Sequence, residues 1–204
     1  MLKSSREGNS VVLLDSVSIQ DRDLLGRLTQ YFATIEARLK EGQGWLIFNA
    51  SRERASRLTA FVLHRLAEQR PFVSYYHVPW RDFALNAYML WVEIPGHAPE
   101  PASIVATTPL EREYTLAGHV SDAQLFQMRF CDLLFIATVR PVHSHEVSHL
   151  SDIVSERFRA RRATILVLPG TPEQATTTFG ALDTTGALWP QLYDQMYRTS
   201  LIAL

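Results

Sequence analysis

The chain has 204 residues, 47% hydrophobic and 20% charged, enough apolar material for one full-sized core, which excludes a disordered chain and a disulfide-stapled miniprotein. Twenty basic against twenty-one acidic side chains leave a formal charge of -1, so no global field draws the molecule to nucleic acid or a membrane, and such a contact has to come from a local patch. No stretch approaches the roughly 20 apolar residues of a membrane span, and no apolar segment follows the first charges, so a cytoplasmic protein without a span is expected.

Leu24, Leu25, Leu28, Phe32, Ile35 and Leu39 recur at helical spacing over residues 19–40, with Gly42 and Gly44 as stop signals. Trp45-Leu46-Ile47-Phe48 is a short apolar run, fit for a strand buried on both faces. Ala55, Leu58, Val62 and Leu66 then mark a helix that Pro71 ends. Phe72 to Val78 is aromatic and β-branched like a strand, and Trp80 to Trp91 resumes helical spacing through Phe83, Ala84, Ala87 and Leu90. Residues 93–119 carry Pro95, Pro99, Pro101 and Pro109 and read as an insertion or flexible loop, with Ile104 and Val105 as its one short strand candidate. Ser121 is expected to cap the next helix. Cys131, the single cysteine, reads as a small buried hydrophobe ahead of the most apolar strand, Asp132 to Val139. Ser144 is expected to cap a helix through Val147, Leu150, Val154 and Phe158, before the buried strand Thr164 to Leu168. Thr171-Pro172-Glu173-Gln174 has capping-box spacing with proline at the first helical position. Leu188 to Tyr197 reads as a helix and Ser200 to Leu204 as a terminal strand.

Buried strands alternating with helices predict an α/β fold, a mainly parallel sheet between two helical layers, in one domain over residues 1–204. Such sheets bind ligands beyond the carboxyl ends of their strands, so the loops after Phe48, Val78, Val139 and Leu168 are where function is expected.

The segment Asn49 to Ser56 joins a buried strand to a helix, where a P-loop would sit. A P-loop wraps phosphates in the N–H groups of a glycine-rich backbone and reaches them with a lysine. Here Asn49 and Arg54 stand at the glycine places and Ala55 at the lysine place; Ser56 alone fits, as the hydroxyl that would hold magnesium. Lysine occurs only at Lys3 and Lys40. The strand Asp132 to Val139 would end, in a hydrolysing enzyme, in acids that hold magnesium and polarise water; Ala137 and Thr138 stand there. Together these predict a degenerate nucleotide site, no cofactor and no hydrolysis.

From about Gln20 onward the order of segments resembles the ATPase domain of DnaC/IstB-type AAA+ helicase loaders. The likeness rests on the helix before the first strand, on Ser121 to Leu125 leading into Asp132-Leu133-Leu134, and on Val154-Ser155-Glu156-Arg157 leading into Thr164 to Leu168. The resemblance implies a P-loop NTPase fold of the AAA+/RecA-like type. It implies an adaptor in replication or mobile-element biology whose partner is a helicase or another multisubunit machine, in a homo- or hetero-oligomer. The departures are Pro169-Gly170 where the family has a polar sensor residue, and Gln191 and Gln195 near its finger and sensor arginines. A thinner likeness to RecA-like pseudo-ATPases, such as the amino-terminal region of the cellulose-synthesis regulator BcsE, implies instead regulation of a secretion or cellulose-synthase complex.

Two further patterns compete. His145-Glu146-Val147-Ser148-His149 matches the zincin form H-E-x-x-H, with His143 as a third candidate ligand, and supplies a zinc-hydrolase alternative. No downstream ligand falls at a family-like distance, so a solvated helix start is the expectation. Arg157, Arg159, Arg161 and Arg162 crowd one helix end, where positive charge complements the macrodipole; the functional alternative is docking of a polyanion or partner, as a nucleic-acid phosphate backbone, an acidic lipid or an acidic protein. Trp91, at the edge of the insertion, is the interface candidate among the aromatic residues.

Overall fold

The computed structural model describes residues 19–69, 73–92 and 109–204. They fall into two compact units, the chain up to Ile35 and Glu36–Leu204. In the first, helix α1 (Ile19–Ala33) buries Leu24, Leu28, Tyr31 and Phe32, a stripe at three- and four-residue spacing. The helix expected over residues 19–40 is interrupted at Thr34 and resumes as α2 (Ile35–Lys40). The Thr34 hydroxyl donates to the Gln30 and Tyr31 carbonyls at 3.2 and 3.4 Å, a back-bond that competes with the helical ladder.

The second unit alternates strands and helices: β1 (Gly44–Ile47), α3 (Arg52–Glu68), β2 (Tyr75–Pro79), α4 (Trp80–Trp91), α5 (Pro109–Phe130), β3 (Leu133–Ala137), α6 (Ser144–Arg159), β4 (Ala163–Val167), α7 (Pro172–Leu182), α8 (Leu188–Thr199) and β5 (Ser200–Ala203). The five strands form one sheet in the order β2-β3-β4-β1-β5, every pair parallel. β1, β3 and β4 are buried at every residue, which is why they read as unbroken apolar runs; β2 and β5, at the edges, are partly exposed. The close pairing of β1 with its neighbour leaves no room at Gly44, where a Cβ would meet the Thr164 carbonyl oxygen.

Leu46, Phe48, Leu134, Ile136, Leu166 and Leu168 share one face of the sheet with a core that includes Phe83 of α4, Met128 of α5, Leu150 of α6, Phe179 of α7 and Leu192 of α8. This is the two-residue period of a strand seen from one side. From β1 the chain crosses two strands to β2, then returns through β3 and β4 towards β5. Right-handed crossovers therefore send α3 to the opposite face from α4–α8.

Side-chain hydrogen bonds fix the ends of several elements, the first of them as the sequence predicts. Thr171 accepts from the Gln174 N–H at 3.2 Å while Gln174 Oε1 accepts from the Thr171 N–H at 3.0 Å, the reciprocal capping box at the start of α7. Asp132 Oδ2 accepts from Ser74 N and Oγ at 2.9 and 2.6 Å, fixing the start of the β2–β3 register. Asp183 organises the turn between α7 and α8, accepting from the N–H groups of Thr185, Gly186, Leu188 and Trp189. Burial opposes its charge, but these donors and the Thr185 hydroxyl outweigh it and hold the carboxyl below the usual carboxylate range.

One boundary is corrected. The expected insertion over 93–119 is helical from Pro109 onward as part of α5, and proline is tolerated in a first helical turn. Ser121, expected as a cap, is buried within that helix with its carbonyl accepting from Asn86 Nδ2 at 2.9 Å. Residues 93–108, with Ile104 and Val105, lie outside the described residues. Among the described residues no helix is long and apolar enough to cross a membrane.

Candidate functional site

In this topology β1 and β4 are neighbours whose following helices leave towards opposite faces. The crevice beyond their carboxyl ends is the topological switch point, where open α/β sheets place their ligands. Here it is stitched shut. Asn49 N–H donates to the Gly170 carbonyl at 2.9 Å and Ala50 N–H to the Leu168 carbonyl at 3.0 Å; Ser51 N–H donates to the Asn49 carbonyl at 3.1 Å. Ser51 caps α3, its Oγ accepting from the Arg54 N–H at 3.4 Å. The amides of Asn49, Ala50, Ser51, Arg54 and Ala55 are therefore engaged within the protein.

The residues aligned with the P-loop confirm that closure from the side-chain level. Asn49 takes φ 55°, a left-handed conformation that asparagine tolerates. Arg54 is buried and turns back into the loop, Nη1 donating to the Phe48 and Asn49 carbonyls at 3.2 and 3.1 Å. It thereby fills the loop between Phe48 and Ser51. Ala55 is buried, and Ser56 lies exposed inside α3, which begins at Arg52. Arg54→Ala removes a charged donor from two loop carbonyls and is expected to cost about 2 kcal/mol in urea unfolding; a midpoint within error of the parent would show that Arg54 does not close the loop.

At the end of β3, Ala137 is buried, and Thr138 sits at φ 61°, rare for a β-branched residue. The bend lets Val139 N–H reach the Val167 carbonyl at 2.9 Å. Neither side chain can coordinate a cation as a carboxylate does. A hollow of about 440 Å³ opens nearby between the ends of β3 and β4, lined by Val139, Arg140, Pro141, Leu168 and Phe179 among others. It is mostly apolar and has one cationic residue, Arg140. Sequence reasoning pointed to both loops but missed the hollow, because Phe179 comes from α7 and carries no loop signal.

The histidine motif is distributed over three tasks. Glu146 reaches back from the first turn of α6 to accept from the Val142 and His143 N–H groups at 2.7 and 3.5 Å, so it completes the helix start. The N-cap is His143 rather than the following Ser144. His149 is held by Asn86 Oδ1 at 3.1 Å and by the Phe83 ring at 5.1 Å. Burial, and then the positive charges of Arg129 and His145, lower its pKa from 6.5 to about 4. His145 stacks between the rings of Trp91 and His143, each at 5.3 Å. Among the described residues no group of three or more His, Cys, Asp or Glu side chains gathers to hold a metal. Beside His145, Trp91 and Tyr88 are 64% and 48% exposed, leaving an aromatic surface on α4.

The arginine cluster divides, and this is the main correction. Arg157 has no exposed surface and cannot meet a polyanion. Its guanidinium donates to the carbonyls of Met128 and Cys131 at 2.8 and 2.9 Å, to those of Arg129 and Asp132 at 3.3 Å, to that of Ala163, and to Thr164 Oγ1 at 3.0 Å. It holds the carboxyl end of α5 to the start of β4. Cys131 Sγ lies 3.5 Å away, and burial pushes that thiol up, so it stays neutral in the core. Arg162 is partly buried, donating to the Arg129 carbonyl and lying 5.0 Å over Phe130. Arg159 and Arg161 remain exposed, and the fold adds Arg198, from the end of α8, to their cleft. Gln191 and Gln195 both engage Ser155 Oγ on α6, at 3.4 and 2.9 Å. No family model matches the chain, and no curated protein matches it either.

Proposed function

We propose that the chain is a P-loop-NTPase-like domain, of the AAA+/RecA-like type, that has lost hydrolysis and acts as an adaptor by binding a macromolecular partner, first among them a replicative helicase. The observation that carries the reading is the closed crevice between β1 and β4. At the place where such a sheet receives phosphates, Asn49 and Ala50 bond to Gly170 and Leu168, and Arg54 occupies the loop. Hydrolysis needs a phosphate cradle and an acid for the cation, and Ala137 and Thr138 provide no acid. The exposed Tyr88 and Trp91 supply the kind of aromatic anchor on which protein interfaces depend.

With magnesium and ATP, phosphate release is expected to equal the buffer rate. Immobilised chain is expected to retain a purified replicative helicase, and Trp91→Ser to weaken that capture about tenfold, the effect of losing one aromatic anchor. Turnover above the buffer rate, lost when Ser56 is replaced by alanine, would overturn the loss of hydrolysis. Absence of helicase capture would remove that partner.

A further inference from the structure

At the amino ends of β1, β4 and β5, opposite the closed crevice, a cleft of about 440 Å³ is lined by Arg159, Arg161, Arg162 and Arg198, with Phe158 and Thr199 beside them and Glu41 as the one acid. In a chain of net charge -1 this is a concentrated positive site. The geometry points to a binding site for a compact ligand that carries two or more linked phosphate groups.

Two helix ends frame this cleft with the same backbone motif. At the end of α2, Gly42 N–H donates to the Leu39 carbonyl and Gln43 N–H to the Arg38 carbonyl, with Gly42 at φ 67°. At the end of α6, Arg161 N–H donates to the Phe158 carbonyl and Arg162 N–H to the Arg157 carbonyl, with Arg161 at φ 52°. Both are Schellman endings, and their left-handed position is ordinarily glycine. One turn has glycine; the other holds an arginine there against its backbone preference. Backbone strain retained at a residue whose side chain is exposed points to a use for that side chain.

Two of these arginines also serve a helix carboxyl end, Arg162 at the Arg129 carbonyl and Arg159 at the Ser155 carbonyl at 3.3 Å, whereas among the described residues no such bond holds the Arg161 side chain. The last carbonyls of α6 accept from the Arg161 and Arg162 amides, and those of α5 accept from Arg157 and Arg162. Among the described residues no carboxylate pairs with Arg159, Arg161 or Arg162, while Arg198 pairs with Asp194 at 3.0 Å. The backbone that carries Arg161 is also fixed. A Cβ at Gly42 would lie 2.8 Å from the Arg161 carbonyl carbon, so the two turns are in direct contact and hold Arg161 in place. Rigid, forked guanidinium groups around a small hollow match the geometry of linked phosphates. The volume is that of a small-molecule site.

Calorimetry with inorganic pyrophosphate, without magnesium, is expected to show one site per chain, with orthophosphate at least tenfold weaker. Arg161→Gly is expected to weaken pyrophosphate at least fivefold while its melting temperature stays level or rises, because glycine suits the backbone there; Arg159→Ala gives a second, independent loss. ADP separates the sources of the chemistry: affinity equal to pyrophosphate assigns the site to free oligophosphate, and tighter affinity, still lost in Arg161→Gly, assigns it to a nucleotide held by its phosphates. Absence of pyrophosphate heat at millimolar concentration overturns the proposal. So does an oligonucleotide without terminal phosphates that binds the cleft and is not displaced by pyrophosphate, since that assigns it to a nucleic-acid backbone. Phosphate binding here is independent of hydrolysis, so the two proposals fail separately.

Discussion

Replacing Arg157 with leucine is expected to lower the unfolding free energy by about 4 kcal/mol, in the range measured when one partner of a buried charged network is removed. For a chain of this size that corresponds to a fall of roughly 10 °C in melting temperature. The cause is the set of carbonyls gathered around the guanidinium. Those of Met128, Arg129, Cys131 and Asp132 come from the end of α5 and the turn after it, and that of Ala163 from the start of β4. Burial works against the charge of Arg157, and the carbonyls compensate because they lie at the negative end of a helix. Leucine would leave them buried without donors. Arg157→Lys, with one compact ammonium in place of a planar fork, is expected to recover only part of the loss. Urea unfolding measures both, and a change below about 1 kcal/mol for leucine would show that solvent replaces the guanidinium, contrary to its burial.

Acidification from pH 6.5 to pH 4 is expected to remove about 3 kcal/mol of stability through His149. Its folded pKa lies at about 4 against an ordinary 6.5, and each pH unit is worth about 1.4 kcal/mol. Between those values the unfolded chain binds a proton that the folded chain refuses, so stability falls with pH. The contribution is whole above pH 6.5 and lost by pH 4. The refusal comes from burial first, and then from the positive charges of Arg129 and His145. Asn86 orients the ring: its Nδ2 donates to the Ser121 carbonyl, leaving Oδ1 to accept from His149 Nε2 at 3.1 Å. His77, lowered by burial, adds a slope of the same sign, so His149→Gln should flatten the profile without abolishing it. Asp183 acts in a lower window: its stabilisation is present above the ordinary carboxylate pKa near 4 and is lost as pH falls towards its depressed value. Parallel profiles for the parent and His149→Gln between pH 4 and 6.5 would refute the assignment.

Much of the frame was legible. Continuous apolar runs placed β1, β3 and β4, because strands covered on both faces need no polar residues. The Thr171 capping box placed α7, because its hydrogen bonds are local. Less legible were the break at Thr34, which depends on one hydroxyl choosing a backbone carbonyl, and the early start of α5, which the proline count obscured. Of the site, the loops were found and their state was not. The pattern Asn49 to Ser56 shows which P-loop residues are absent, but the closing bonds come from Gly170 and Leu168 across the sheet.

Residue order alone indicated most of the elements, the strand–helix alternation that goes with a parallel sheet, and the P-loop residues that are absent, since each is a local pattern. Tertiary structure decided the fate of the charges. Arg157 and Arg161 are four residues apart in one basic run, yet one is buried among carbonyls and the other faces an open cleft with Arg198. A guanidinium's role depends on which distant groups surround it, and sequence spacing along one helix carries no information about those groups.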